Sequence, residues 1–166
     1  MMGRTLLTAL AFAALLLGSL PASGQDNSLT RRTLKDLPGV HLEVATFREH
    51  AKRAGFSHSI FETSIASKLR DSGIKVLTPQ QTNELIRKPN LYIRVSPGSD
   101  TDCFVMDIWL QQMVALLVEG DPVFSYATTW SIQHYGRGAP EAVRSSLLDT
   151  PLETFINAWL SVNPKE

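Results

Sequence analysis

Scarcity frames this 166-residue chain. A single cysteine, Cys103, forbids an internal disulfide and excludes the disulfide-built scaffolds of small exported proteins. Its neighbours Asp100, Asp102 and Asp107 are acidic and disfavour a thiolate, so a buried small side chain is expected rather than a nucleophile. GxSxG, P-loop, GxGxxG and HExxH patterns are missing, as are paired-cysteine metal motifs. His41, His50, His58 and His134 are scattered, without a cluster of carboxylate or cysteine ligands. No cofactor and no metal are therefore expected. Ser96–Asp102 (SPGSDTD) crowds oxygen ligands together but lacks the spacing and terminal Glu of a calcium loop, and reads as a polar turn. Neither an internal repeat nor a low-complexity tract occurs.

Long apolar runs are few as well. Cys103–Val118 spans sixteen residues, short of the ~20 that a membrane helix needs. It would also place Asp107, Gln111 and Gln112 in hydrocarbon without partners. The other run is N-terminal: Arg4 supplies a positive start, Leu6–Leu20 an apolar stretch, and Ala22-Ser23-Gly24 small residues after Pro21. That is the pattern of a signal peptide over residues 1–24. Cleavage before Gln25 would leave 142 residues, the size of one domain, with no membrane span in the mature chain. The protein is expected to be exported, periplasmic or secreted. No cysteine stands at the cleavage site to carry a lipid anchor.

Charge of one sign is not in excess overall, yet it is unevenly placed. Gln25–Val95 carries twelve Lys/Arg against seven Asp/Glu, and Ser96–Glu166 three against nine. Such asymmetry fits two unlike solvated surfaces, an anionic partner, or faces that meet in a homo-oligomer. The basic trio Arg31, Arg32 and Lys35 is too short for a nucleic-acid tail, so no nucleic acid is expected.

What is present is a sequence of short amphipathic elements. Residues 25–36 are polar and unperiodic and read as a flexible arm, residues 37–162 as a single α+β domain, and 163–166 as a tail. Val40–Phe47 alternates, with Val40, Leu42 and Val44 on one face of a strand. A helix follows, with Ser59 and Glu62 in capping-box spacing, an apolar stripe of Phe56, Ile60, Ile65 and Leu69, and Gly73 as its stop. Ile74–Leu77 is a short strand. Thr78-Pro79-Gln80-Gln81 and Thr150-Pro151-Leu152-Glu153 are both spelled as helix starts; a helical segment over Glu141–Leu148 is broken or kinked at Pro151. The second start opens a helix that buries Leu152, Phe155, Ile156 and Trp159.

Leu91–Val95 turns Leu91, Ile93 and Val95 inward. Cys103–Val118 reads as a strand that slips parity near Gln111-Gln112, as a bulge would produce, with a helix as the alternative. After the turn Glu119–Pro122, Val123–Tyr135 returns antiparallel. The expected fold is α+β: an antiparallel-rich sheet of about five strands packed against helices on one face, in the order strand, helix, strand, short helix, three strands, helix.

Arg48, Lys52 and Arg53 follow the first strand beside Phe47 and Phe56, where they could hold an anion at a helix start or simply keep a loop soluble. Trp109 and Trp130 are core or sheet-face residues or, if exposed side by side, an interface. These five are the candidate binding residues. VHLEVATF, SKLRDSGIKVL, the strand pair around EGDP and the closing helix together resemble the N-terminal domain of the Tol-Pal protein TolB and small envelope domains of the curli-secretion lipoprotein type. The resemblance spans roughly residues 37–162, rests on hydrophobic pattern, and implies the fold and envelope residence but no functional residue. The function expected is a non-catalytic binding or envelope-assembly module that recognises a protein partner, anionic if the basic half is its site. A carrier of a lipid or other amphiphile between helix and sheet is the alternative. A hydrolase using Asp102, Asp107 and His134 comes last.

Overall fold

The computed structural model describes residues 25–46, 52, 57–97, 103–137 and 140–164. The signal-peptide expectation for residues 1–24, the turn at 98–102 and the candidate residues Arg48 and Arg53 lie outside them. Five strands form one mixed sheet: β1 (Val40–Val44), β2 (Val76–Leu77), β3 (Asn90–Pro97), β4 (Cys103–Leu116) and β5 (Val123–Arg137), in the spatial order β2-β1-β3-β4-β5. Short parallel ladders join β1 to β2 and β3, and long antiparallel ladders join β3 to β4 and β4 to β5. The helices are α1 (Ser28–Arg31), α2 (His58–Asp71), α3 (Pro79–Asn83) and α4 (Pro140–Leu160). This is the α+β fold expected.

Alternation decides which side chains meet the helices. Val40, Leu42 and Val44 of β1, Leu91, Ile93 and Val95 of β3, and Phe104, Met106, Ile108 and Leu110 of β4 are all buried on one face. On that face lie Phe61, Ile65 and Leu69 of α2 and Leu152, Phe155, Ile156, Ala158 and Trp159 of α4. Trp130 of β5 meets Phe155 edge-on at 5.2 Å between ring centres, a geometry that suits the ring quadrupoles. The layer between sheet and α4 is thus filled by large side chains, Trp130, Phe155 and Leu152 having no exposed surface.

Local signals set the helix ends. Thr78 and Gln81 make a reciprocal capping box at α3, with Pro79 at the first helical position. At the end of α2, Gly73 takes φ 86°, its N–H bonds the Arg70 carbonyl at 2.8 Å, and the Ile74 N–H bonds the Leu69 carbonyl at 2.9 Å. That is a Schellman closure, and Leu69 and Ile74 are both buried beneath it.

Several expectations are corrected. Residues 25–36 are not a loose arm: Asn27 caps α1 with a full capping box, and Leu34 in the following 3-10 turn is wholly buried in the core. The capping box of Ser59 and Glu62 does not form; Ser57 precedes α2 without a side-chain bond to its backbone. The buried stripe of α2 runs through Phe61, while Ile60 is 54% exposed. Helix α4 does not begin at Thr150. It runs unbroken for 21 residues with Pro151 inside it, although an internal proline costs ~3 kcal/mol.

Strand β4 is a strand throughout, and the parity break belongs to its neighbour. Leu110 faces Trp130 and Gln111 faces Thr128, leaving Thr129 of β5 as the extra residue of a bulge.

Candidate binding surface

Beyond Gln111 strand β4 loses β3, whose pairing ends at Asn90. From Gln112 to Leu116 its only ladder partner is β5; the Met113 N–H still donates to the Arg87 carbonyl at 2.8 Å, and beyond that bond the β4–β5 hairpin extends past the sheet as a two-stranded arm. Ten large apolar side chains are conspicuously exposed among the described residues, and six of them sit on this arm: Leu116, Leu117, Val118, Val123, Phe124 and Tyr126. Leu117 at the tip is 94% exposed and Phe124 63%. Contiguous exposed apolar surface of this kind marks an interaction site.

The arm is anchored at its root by a buried amide. Gln112, 1% exposed, accepts from the Arg87 Nε–H at 2.8 Å and donates to the Thr33 carbonyl at 3.1 Å and to Thr129 Oγ1 at 2.6 Å. Arg87 also donates to the Thr33 and Lys35 carbonyls, and burial lowers its pKa. The bulge, the N-terminal segment and the loop before β3 are thereby tied to one side chain.

The sheet face away from the core carries a second constellation. Tyr92 stacks on Trp109 at 5.6 Å, and the Arg94 guanidinium lies 4.7 Å from the Trp109 ring centre. Arg94 donates through Nε and Nη2 to one oxygen of buried Asp107, at 3.2 and 3.0 Å. The other oxygen accepts from Gln133 Nε2 at 2.7 Å, and Tyr135 OH donates to Gln133 Oε1 at 2.8 Å. With its oxygens held by these donors, Asp107 is a positioning group that fixes Arg94 against the tryptophan. A shallow recess of about 170 Å³ lies at one end of the same face, lined by His41, Thr82, Asn83, Lys88, Asn90 and Tyr126 among others.

The expected site residues scatter. Lys52 is helical and exposed; with Arg48 and Arg53 outside the described residues, the basic group has no described geometry. Trp109 is half-buried on the open face, whereas Trp130 is wholly buried on the helix-covered face, its indole N–H donating to Asp26 Oδ1 at 2.8 Å. Trp130 is thus a core residue and Trp109 a sheet-face residue, and the condition for a paired tryptophan interface is not met: Trp130 stands opposite Leu110 and Trp109 opposite Ser131, on opposite faces of the sheet. The hydrolase constellation fails in the same way. Asp107 points to the open face, and His134, opposite Met106, to the core side, where burial lowers its pKa. Asp102 lies outside the described residues. Cys103 is half-buried and accepts from Arg137 Nε at 3.4 Å.

Sequence reasoning missed the arm. The signal was present in LLVEGDPVF, where apolar residues press against both sides of a turn. Among the described residues no helix is long and apolar enough to cross a membrane, and no group of three or more His, Cys, Asp or Glu side chains is placed to hold a metal. No protein-family model matches the chain, and no curated protein or solved structure is significantly similar to it.

Proposed function

We propose that the chain is a non-catalytic binding or assembly module of the bacterial cell envelope, exported by its N-terminal segment, which recognises a protein partner through the β4–β5 arm. One observation carries the reading: the exposed large apolar side chains concentrate on a hairpin that stands clear of its own sheet. A protruding, uncovered apolar hairpin costs solubility unless it is used. The Arg4 to Gly24 pattern supports export, and the hydrophobic pattern of an envelope domain agrees with it.

The test is a photo-crosslinking amino acid placed at Phe124, with Thr63 on the exposed side of α2 as the control, in the cells that make the protein. A discrete protein adduct at 124 and none at 63, from an envelope fraction, is the expected result. Equal labelling at both positions, or recovery of the protein in the cytoplasm, would overturn the reading.

A further inference from the structure

We infer that the arm's partner is a second copy of this chain, the two β5 strands pairing antiparallel about a two-fold axis at Ser125. The inference rests on the binding-module reading and names the occupant of the same arm. Strand β5 is the last in the sheet, and among the described residues no strand covers its outer edge. Exposed edges are ordinarily protected by charge, proline or covering chain. From Val123 to Gly136 β5 contains no Asp, Glu, Lys, Arg or Pro.

Among the described residues, covering chain protects only the middle. Thr33 Oγ1 donates to the Thr129 carbonyl at 3.4 Å, and the Gln25 N–H donates to Ser131 Oγ at 3.3 Å. The N-terminal segment thus closes the edge at Thr129–Ser131, and no other described residue covers Val123–Thr128, next to the apolar tip.

That open stretch is complementary to itself. A two-fold axis perpendicular to the sheet keeps each face continuous only if paired residues share a face, so the axis must pass through a residue. With Ser125 on the axis, Phe124 of each copy stands opposite Tyr126 of the other. Both side chains are on the open face, opposite Ala115 and Met113 of β4, and aromatic cross-strand pairs are among the better sheet contacts. Val123 falls opposite Ala127, and no like charges meet. On β5 itself Val123, Phe124 and Tyr126 are each more than half exposed, so pairing of the two edges buries apolar side chains together with the open backbone groups. A two-fold contact of this kind closes at the dimer rather than propagating.

The experiment uses the protein purified as the cell processes it, with sedimentation velocity over a concentration series. The wild type is expected as a dimer. Ser125 is exposed, so S125K and S125E leave the monomer fold intact, checked by unchanged circular dichroism. Each alone brings like charges together on the axis and weakens the dimer at least about ten-fold; an equimolar mixture of the two restores it. A wild type that stays monomeric at all concentrations, or charge variants that dimerise alone as well as mixed, would overturn the two-fold pairing. If the monomer instead binds vesicles of phosphatidylethanolamine and phosphatidylglycerol through the arm, the occupant is a lipid surface and the inference falls. A monomer that still gives a specific adduct at position 124 with another protein would sink this inference and leave the binding-module reading standing. Loss of both results would remove both.

Discussion

Asp26 gives the most direct test of how the N-terminal segment is held. Its carboxylate accepts from Arg31 Nε and Nη2, each at 2.7 Å, and from the indole N–H of Trp130 at 2.8 Å. Replacing it with alanine removes the acceptor from a donor inside the core, since Trp130 has no exposed surface. A stranded buried donor costs ~1–3 kcal/mol. The Arg31 side chain is 37% exposed, so water screens that pair and its share is below ~1 kcal/mol. Together Asp26→Ala is expected to cost about 2–3 kcal/mol, a fall in Tm of about 5–10 °C. Asp26→Asn keeps an oxygen for the indole and should cost about 1 kcal/mol. The Arg31 hydrogen bond is the chief cause holding the Asp26 carboxyl below its usual range; burial opposes it, and the Trp130 bond and the Arg31 charge add to it. A carboxyl that titrates lower in the folded than the unfolded chain stabilises fully above the unfolded value, about 3.9. That stability is lost as pH falls through the lower folded value, because the unfolded chain then binds more protons. The gap in urea unfolding between wild type and Asp26→Ala should therefore narrow from pH 6 to pH 3, without closing, since a neutral carboxyl still offers an oxygen to the indole. A variant within ~0.5 kcal/mol of wild type at pH 6, or a gap that does not narrow with acid, would refute the assignment.

Three other perturbations follow from single contacts. A Cβ at Gly39, where φ is 156°, would lie 2.4 Å from the Lys75 carbonyl oxygen. Gly39→Ala should therefore push β1 from β2 and cost at least about 2 kcal/mol by urea unfolding. Gln112→Ala strips the arm's root of its amide; a loss of about 2–3 kcal/mol is expected, with faster hydrogen exchange at Thr33–Leu37 before the rest of the sheet. His134 is half-buried, and burial lowers its pKa. The unfolded chain thus takes up a proton first, so stability declines as pH falls below about 6.5. His134→Gln should flatten that limb, and an unchanged pH profile would show that the ring reaches water.

The fold was legible because its faces follow from period-two alternation. Val40, Leu42 and Val44, then Leu91, Ile93 and Val95, announce both their strands and their buried sides. Thr78-Pro79-Gln80-Gln81 announces a helix because the cap is complete within four residues. Thr150-Pro151-Leu152-Glu153 carries the same spelling and opens no helix, since the chain before it is already helical from Pro140 and four residues do not record that. The segment at residues 25–36 misled for a related reason: Leu34 is its one wholly buried anchor, and a lone apolar residue has no period. The arm was less legible still. Exposure of Phe124 and Leu117 depends on β3 ending at Asn90, and nothing in β4 or β5 encodes where their neighbour stops.

The two tryptophans show how one residue decides between core and surface. From Val123 to Thr128 strand β5 keeps a constant register with β4, and continuing it would set Trp130 opposite Trp109 on the open face. Thr129 interrupts it, so Trp130 moves opposite Leu110 and turns into the core. Deleting Thr129 removes only that extra residue and leaves a regular ladder: Trp130 stays opposite Leu110 and Thr128 opposite Gln111, so neither half of the strand has to slip. What the deletion removes is the Thr129 hydroxyl that accepts from Gln112 Nε2 at 2.6 Å, a loss of about 1–3 kcal/mol. The deletion variant should therefore fold, keep the blue-shifted emission of a buried Trp130, and keep Phe124 and Tyr126 on their present side of the arm. Red-shifted emission with loss of the folded baseline would mean that the bulge itself, and not the ladder on either side of it, holds Trp130 in the core.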